Sequence, residues 1–154
     1  CPACGAFAPR MSAWKARLPA DVRVSYVPVA FGKAWEPYAK AFYAAEAKGL
    51  VDKTHDAVFN AIHNEKRKLA TAEEMAEFLA AHGIDKSKFL STFNSFAVKG
   101  QMAKAKKLAV AYQISGVPVL IVGGKYRFDI RSSGGPQETL QVADFLIQKE
   151  RSAN

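Results

Sequence analysis

Cysteine is scarce in this 154-residue sequence: there are two, Cys1 and Cys4. A small fold stapled by disulfides uses more of them, spread along the chain. A structural zinc site needs four ligands. The remaining nitrogen donors, His55, His63 and His82, do not complete one, because His55 and His63 lie too far apart on one expected helix to share an ion. No segment reaches the run of about 18 apolar residues that a membrane-spanning helix requires. The start has neither the basic nor the apolar segment of an export signal, since residue 1 is already Cys. A mature exported protein reads this way, and so does a cytosolic one. Internal repeats and low-complexity tracts are also missing. Acidic residues are outnumbered, 14 against 22 Lys and Arg, for a net charge of +8. The densest basic clusters are Lys66-Arg67-Lys68 and Lys104-Ala105-Lys106-Lys107. Neither is interleaved with the aromatic side chains that stack nucleic-acid bases. They read as solvated faces, and no nucleic-acid partner is expected.

What remains is ordinary globular composition, 49% hydrophobic and 23% charged, enough for one compact domain or a domain with one insertion. Residues 1–8 read as a loop turning into a helix, with Phe7, Met11, Trp14 and Leu18 at helical spacing and a kink expected at Pro9. Val22, Val24, Tyr26, Val27 and Val29 form a β-branched and aromatic run, read as a buried strand. From Phe31 to about Lys107 the pattern is helical. A helix over Trp35–Lys48 is closed by Gly49, and the next, from Asp52 to about Lys66, is expected to bury Val51, His55, Val58, Phe59 and Ile62. Thr71 and Glu74 make a capping box, and Asp85 caps a short helix that carries Phe89, Leu90 and Phe93. A longer helix follows over roughly Ser95–Tyr112. Phe89, Phe93 and Phe96 are all assigned to the core on their spacing.

The pattern then changes. A short apolar run, Val117–Val122, meets Gly123-Gly124, a hairpin signal, and returns as Tyr126–Ile130. Ser132–Gly135 reads as a loop and Pro136 as a helix start. A helical stretch of this length between two strands is too large for a simple crossover connection. The fold class is therefore α/β, with an all-helical domain, residues 33–107, inserted into a domain made of residues 1–32 and 108–154.

Cys1-Pro2-Ala3-Cys4 puts two sulfurs at the start of a helix, where free N–H groups and the helix dipole favour a thiolate. In such a pair the first cysteine is normally the exposed nucleophile; the second, one turn in, is more buried and resolves the mixed disulfide. Two cysteines so placed point to redox chemistry ahead of structure or metal binding. Gly116-Val117-Pro118 adds weight, since proline at the first position of a strand is unusual unless the position is special. A cis bond there would let the backbone lie against the sulfurs and pair with an extended chain. Met11, Phe31, Trp35 and Ser132–Gly135 are candidates for the rim of a hydrophobic groove beside Cys1. His55 and His63 are read as surface or packing residues.

On these residues the chain resembles the DsbA family of bacterial periplasmic disulfide oxidases. The matching stretches are Cys1–Cys4, Leu50–Ile62, Gly83–Phe89, Asn94–Val98 and, most specifically, Tyr112–Tyr126. The resemblance implies a thioredoxin-like domain with a helical insertion, in which Cys1 exchanges disulfides with reduced, unfolded proteins and Cys4 resolves. It implies that Pro2 and Ala3 form the active-site dipeptide and that Val117 and Pro118 form the facing loop. It further implies a monomer in the periplasm, reoxidised by a membrane partner of the DsbB type. No metal and no cofactor beyond the redox-active disulfide are expected. Two departures stand out. Ala3 replaces the histidine typical of the family, which predicts a less acidic Cys1 and a milder oxidant. A strand that should precede the motif and lie between Val22–Val29 and Val119–Val122 is missing, so the sequence is expected to begin inside the domain or something else to fill the slot. Two other readings are a disulfide reductase or isomerase, and a non-catalytic peptide-binding module.

Overall fold

The computed structural model describes residues 1–153. They divide into two compact units, one made of Cys1–Tyr26 with the chain from Tyr112 onward, the other of Val27–Ala111. Among the described residues no helix is long and apolar enough to cross a membrane.

The cysteine-bearing unit opens on helix α1, Pro2–Ala16. Proline at the first helical position loses nothing, because its absent N–H would have no helical partner. The helix runs on through Pro9, which cannot donate to the carbonyl four residues earlier. Strands β1, Val119–Val122, and β2, Tyr126–Asp129, pair antiparallel with Val119 opposite Asp129 and Val122 opposite Tyr126. Gly123 and Gly124 both have positive φ, 64° and 72°, as a tight hairpin turn of this hand demands. The turn closes with the Lys125 N–H donating to the Val122 carbonyl at 3.2 Å. Helix α8, Pro136–Ser152, completes the unit. Phe7 and Trp14 of α1 bury against Leu140 and Ala143 of α8, with Val24, Leu120 and Phe128 packed around them.

Two sequence expectations fail, one across the boundary of this unit and one within it. Val22–Val29 forms no strand, although Val22, Val24 and Tyr26 are half-buried while Asp21, Arg23 and Ser25 are exposed. The alternation of an extended chain is present and the ladder is not. A strand needs a neighbour about 4.8 Å away to satisfy its N–H and C=O groups, and the described sheet holds only β1 and β2. Ser132 and Ser133 are also not loop. They lie in a short helix, α7, Ile130–Ser133, started by a reciprocal cap in which Asp129 Oδ1 accepts from the Ser132 N–H at 2.7 Å and Ser132 Oγ accepts from the Asp129 N–H at 3.0 Å. Gly134, at φ 97°, ends it.

The other unit is helical throughout. A 3₁₀ turn, Lys33–Trp35, leads into α2, Glu36–Ala47, followed by α3, Val51–His63, α4, Ala72–Ala80, α5, Lys86–Phe93, and α6, Phe96–Ala111. Gly49, at φ 69°, closes α2 with the Leu50 N–H returning to Ala45. Thr71 caps α4 by accepting from the Glu74 N–H, and Glu74 returns to the N–H of Ala70, one residue before the cap. Asp85 caps α5 through the Lys88 N–H. The face of α3 is rotated from the expected one: Thr54 and Ala61 are its buried residues, while His55, Val58, Phe59 and Ile62 are half-buried. Small residues at the centre of the face let neighbouring backbones approach. The main core gathers Leu69, Met75, Leu79 and Phe89. Phe96 is the third correction: at 90% exposure it lies outside the core that encloses Phe89 and Phe93. The turn between α5 and α6 breaks the periodicity that linked the three rings.

Candidate functional site

Cys1 and Cys4 are joined by a disulfide, and the pair sits on the first turn of α1. Cys1 is the N-cap. Its carbonyl accepts the first helical bond, from the Gly5 N–H at 3.0 Å, and its Sγ accepts from the Cys4 N–H at 3.0 Å. This is the position an Asp or Ser oxygen occupies in an ordinary cap. A sulfur there receives both a directed N–H and the positive end of the helix dipole. The first turn of α1 carries no acidic residue to oppose a negative sulfur. Pro2 and Ala3, between the cysteines, are exposed. Ala3 contributes neither charge nor hydrogen bond beside Cys1. Cys1 and Cys4 are both half-buried, so the gradient of burial expected from the sequence does not separate them. The backbone does: only Cys1 presents its sulfur to a helix-terminal N–H.

The peptide bond between Val117 and Pro118 is cis. The Val117 carbonyl oxygen lies 3.6 Å from Cys1 Sγ, across 116 positions of sequence. In the disulfide the sulfur has no proton to give and this is a van der Waals approach; in the reduced form the same distance suits a thiol donor. Cys1 thus lies between a donor, the Cys4 N–H, and an acceptor, the Val117 carbonyl. The first favours the thiolate and the second favours the thiol.

The segment that ends in Val117-Pro118 is tied to the hairpin. Arg127 Nη1 on β2 donates to the Tyr112 carbonyl at 2.7 Å and to the Gln113 carbonyl at 3.2 Å. The Tyr112 hydroxyl donates to the Gly124 carbonyl at 3.3 Å. Gln113 has φ 54°, in the left-handed region. Nothing in the sequence singled out Arg127; the only available signal was a cation at an exposed strand position.

The other candidates make contacts of their own. Met11 packs at the margin of the α1–α8 core. Phe31 and Trp35, of the helical unit, pack on each other edge to face with ring centres 5.4 Å apart. His55 and His63 flank Phe59 on α3. Partial burial, with the Lys66 cation adding to it, holds His63 below the ordinary histidine range. Among the described residues no three metal-ligating side chains come together.

Residues 1–142 match the family described as DSBA-like thioredoxin domain. The chain is 58% identical over 153 residues to the thiol:disulfide interchange protein DsbA of Pseudomonas aeruginosa, spanning 99% of this chain and 72% of that protein. It is 59% identical over 153 residues to the protein of the same name from Azotobacter vinelandii, with the same 99% and 72% spans. The crystal structure of Pseudomonas aeruginosa DsbA superposes with a TM-score of 0.91 at 58% identity, covering 99% of this chain and 80% of that one. The structure of oxidoreductase DsbA from Xylella fastidiosa gives 0.91 at 33% identity, covering 99% and 81%.

Proposed function

The chain belongs to the DSBA-like thioredoxin domain family and is a thiol–disulfide oxidoreductase, and on that premise we propose that Cys1 and Cys4 are its reacting groups and that it works as an oxidase. A substrate thiolate attacks Cys1 Sγ, the Cys1–Cys4 bond breaks, and Cys4 leaves as a thiolate that takes up a proton. The substrate's second thiolate then attacks its own sulfur in the mixed disulfide and expels Cys1 as thiolate. The substrate loses two electrons and gains a disulfide; the enzyme ends as a dithiol. If the substrate's second thiol is slow, Cys4 attacks Cys1 and returns the enzyme to its starting form, which is the resolving role.

The observation that carries this reading is the sulfur of Cys1 in the N-cap position, accepting the Cys4 N–H. Stabilising Cys1 as the leaving thiolate stabilises the reduced enzyme and so makes its disulfide the stronger oxidant. Ala3 tempers this, since no histidine stands between the cysteines, and a milder oxidant follows. Val117 and Pro118 are proposed to face the disulfide and to pair with the substrate backbone in extended form. Residues 1–32 and 108–154 are proposed as the thioredoxin-like domain and 33–107 as the helical insertion; the division into compact units supports this. Reduced exported proteins as substrates, a periplasmic location, a membrane reoxidant of the DsbB type and a monomeric state complete the proposal, supported by the resemblance to proteins named DsbA.

The test is to mix the oxidised protein with a dithiol peptide and to equilibrate the Cys1–Cys4 couple against glutathione. Stoichiometric oxidation that is abolished in Cys1→Ser is expected, with a couple more oxidising than the thioredoxin value of about −270 mV. A potential at or below that value would replace the oxidase with a reductase. A wild-type protein unable to oxidise the peptide would revive the peptide-binding module.

A further inference from the structure

We infer that Arg127 is a positioning residue for disulfide exchange, holding the chain ahead of Pro118 so that the Val117 carbonyl stays against the Cys1 sulfur. This rests on the proposed roles of Cys1 and of the Val117-Pro118 loop.

The argument starts from where the loop is fixed. Its far end enters β1 at Val119, which is paired with Asp129 of β2. Its near end, Tyr112-Gln113, is held by the Arg127 guanidinium of the same strand. The segment between them is therefore spanned by two anchors only two positions apart on β2. Arg127 is itself set by the ladder, opposite Ile121. Here the left-handed φ of Gln113 accompanies a backbone whose Tyr112 and Gln113 carbonyls accept from the same nitrogen. Among the described residues no carboxylate pairs with Arg127, so its charge is directed at these two carbonyls. The Tyr112 hydroxyl adds a tie to the hairpin turn and does not reach the loop itself.

Two consequences follow for the site. A fixed Val117 carbonyl opposes negative charge on Cys1, so loosening it shifts Cys1 toward the thiolate. A fixed loop backbone also presents its N–H and C=O groups to the substrate in one arrangement, so loosening it weakens substrate capture before it slows the chemistry. Arg127 is exposed and touches neither sulfur, which makes it a positioning residue and not a catalytic one.

The experiment compares the parent, Arg127→Met and Arg127→Lys in turnover of a dithiol peptide, with oxidised glutathione as terminal oxidant. The Cys1 thiolate is titrated in each reduced protein by its ultraviolet absorbance, and Cys1→Ser is the null control. For Arg127→Met, KM should rise by about threefold or more while kcat changes by less than about twofold. Its Cys1 titration should move to lower pH. Arg127→Lys, which keeps a cation able to reach the carbonyls, should fall between the two. Unchanged KM and an unchanged thiolate titration in Arg127→Met would overturn the inference while Cys1→Ser still upheld the function. A lowered thermal midpoint with an unmoved titration would reduce Arg127 to a structural role, which also overturns it. If the parent failed to oxidise the peptide, the functional reading would fall, and the Cys1 titration in Arg127→Met would still decide this inference.

Discussion

Eleven buried residues, from Ala41 to Phe93, make up the main core cluster of the helical unit, whereas four, Phe7, Trp14, Leu140 and Ala143, make up that of the cysteine-bearing unit. The larger cluster is apolar throughout and includes Phe89 and Phe93 of α5 with Met75, Ala76, Phe78 and Leu79 of α4. The smaller one is braced by polar contacts. Trp14 Nε1–H donates to Asp144 at 2.7 Å, Asp129 and Ser132 cap each other, and Lys125–Glu150 and Arg151–Asp21 pair at 3.0 and 3.1 Å. Apolar burial is the dominant favourable term in folding, while exposed ion pairs add little. The helical unit is thus the better insulated of the two. The proposed redox site sits on a thin core held in register by hydrogen bonds, the kind of region that opens locally at lower cost.

The sharpest way to break that comparison is to damage the larger core. Phe89 is fully buried, and Phe89→Ala should cost about 3–5 kcal/mol from lost transfer energy and the cavity left behind. Denaturant unfolding would read the loss. The rate of peptide oxidation per folded molecule should stay at the parent value, because Phe89 belongs to the helical unit's own core. A fall in that rate matching the loss of stability would show that the two regions are not distinct in function.

Asp144→Ala probes the smaller core by the opposite route, through a polar contact. It leaves the Trp14 indole N–H without its partner and removes the weaker Arg17 pairing at 3.8 Å. The carboxylate is partly exposed, so water recovers some of the loss, and a cost of about 1–2 kcal/mol is expected. Trp14 fluorescence during unfolding measures it directly. A cost above that of Phe89→Ala would reverse the ranking of the two regions.

Which parts of this contrast were legible in the sequence follows the range of the interactions involved. Thr71, Asp85 and Gly49 act within one helical turn, and each does what its local pattern predicts. The hairpin is equally local, since two successive glycines at positive φ are a turn by themselves. Cys1 and Cys4 are three positions apart, and their spacing already places both on one turn. The failures are non-local. Val22–Val29 has the residues of a strand, but a strand exists only with a neighbour, and no local pattern supplies one. Phe96 follows Phe93 at helical spacing, yet the helix ends between them. The approach of Val117 to Cys1, the Trp14–Asp144 bond and the Arg127 tie join residues across the fold. Ser132–Ser133 is the exception, because its signal was local: Asp129 stands three residues before Ser132, the spacing of a reciprocal cap, and Gly134 obscured it.

The smallest expected effects lie at the extremes of pH, on opposite sides for the two regions. In the helical unit, burial and then the nearby Glu46 push Tyr43 up to about 12 from 10.0. A raised value means that the folded state holds the proton more tightly. Its contribution is complete below 10.0 and is lost as pH rises through about 12. In the cysteine-bearing unit, the Ser132 N–H and then its hydroxyl hold Asp129 below 3.8. A lowered carboxylate contributes above 3.8, and that contribution is lost as pH falls through its folded value. Trp14 and Trp35 are the only tryptophans, one in each unit, so Trp35→Phe and Trp14→Phe backgrounds give separate fluorescence readouts. The Trp35 signal should weaken first on the alkaline side and lose that slope in Tyr43→Phe. The Trp14 signal should weaken first on the acid side, and Asp129→Asn, which keeps a capping oxygen without the charge, should flatten it. If both probes moved together at either extreme, the two regions would be unfolding as one, and the difference in their cores would have no thermodynamic expression.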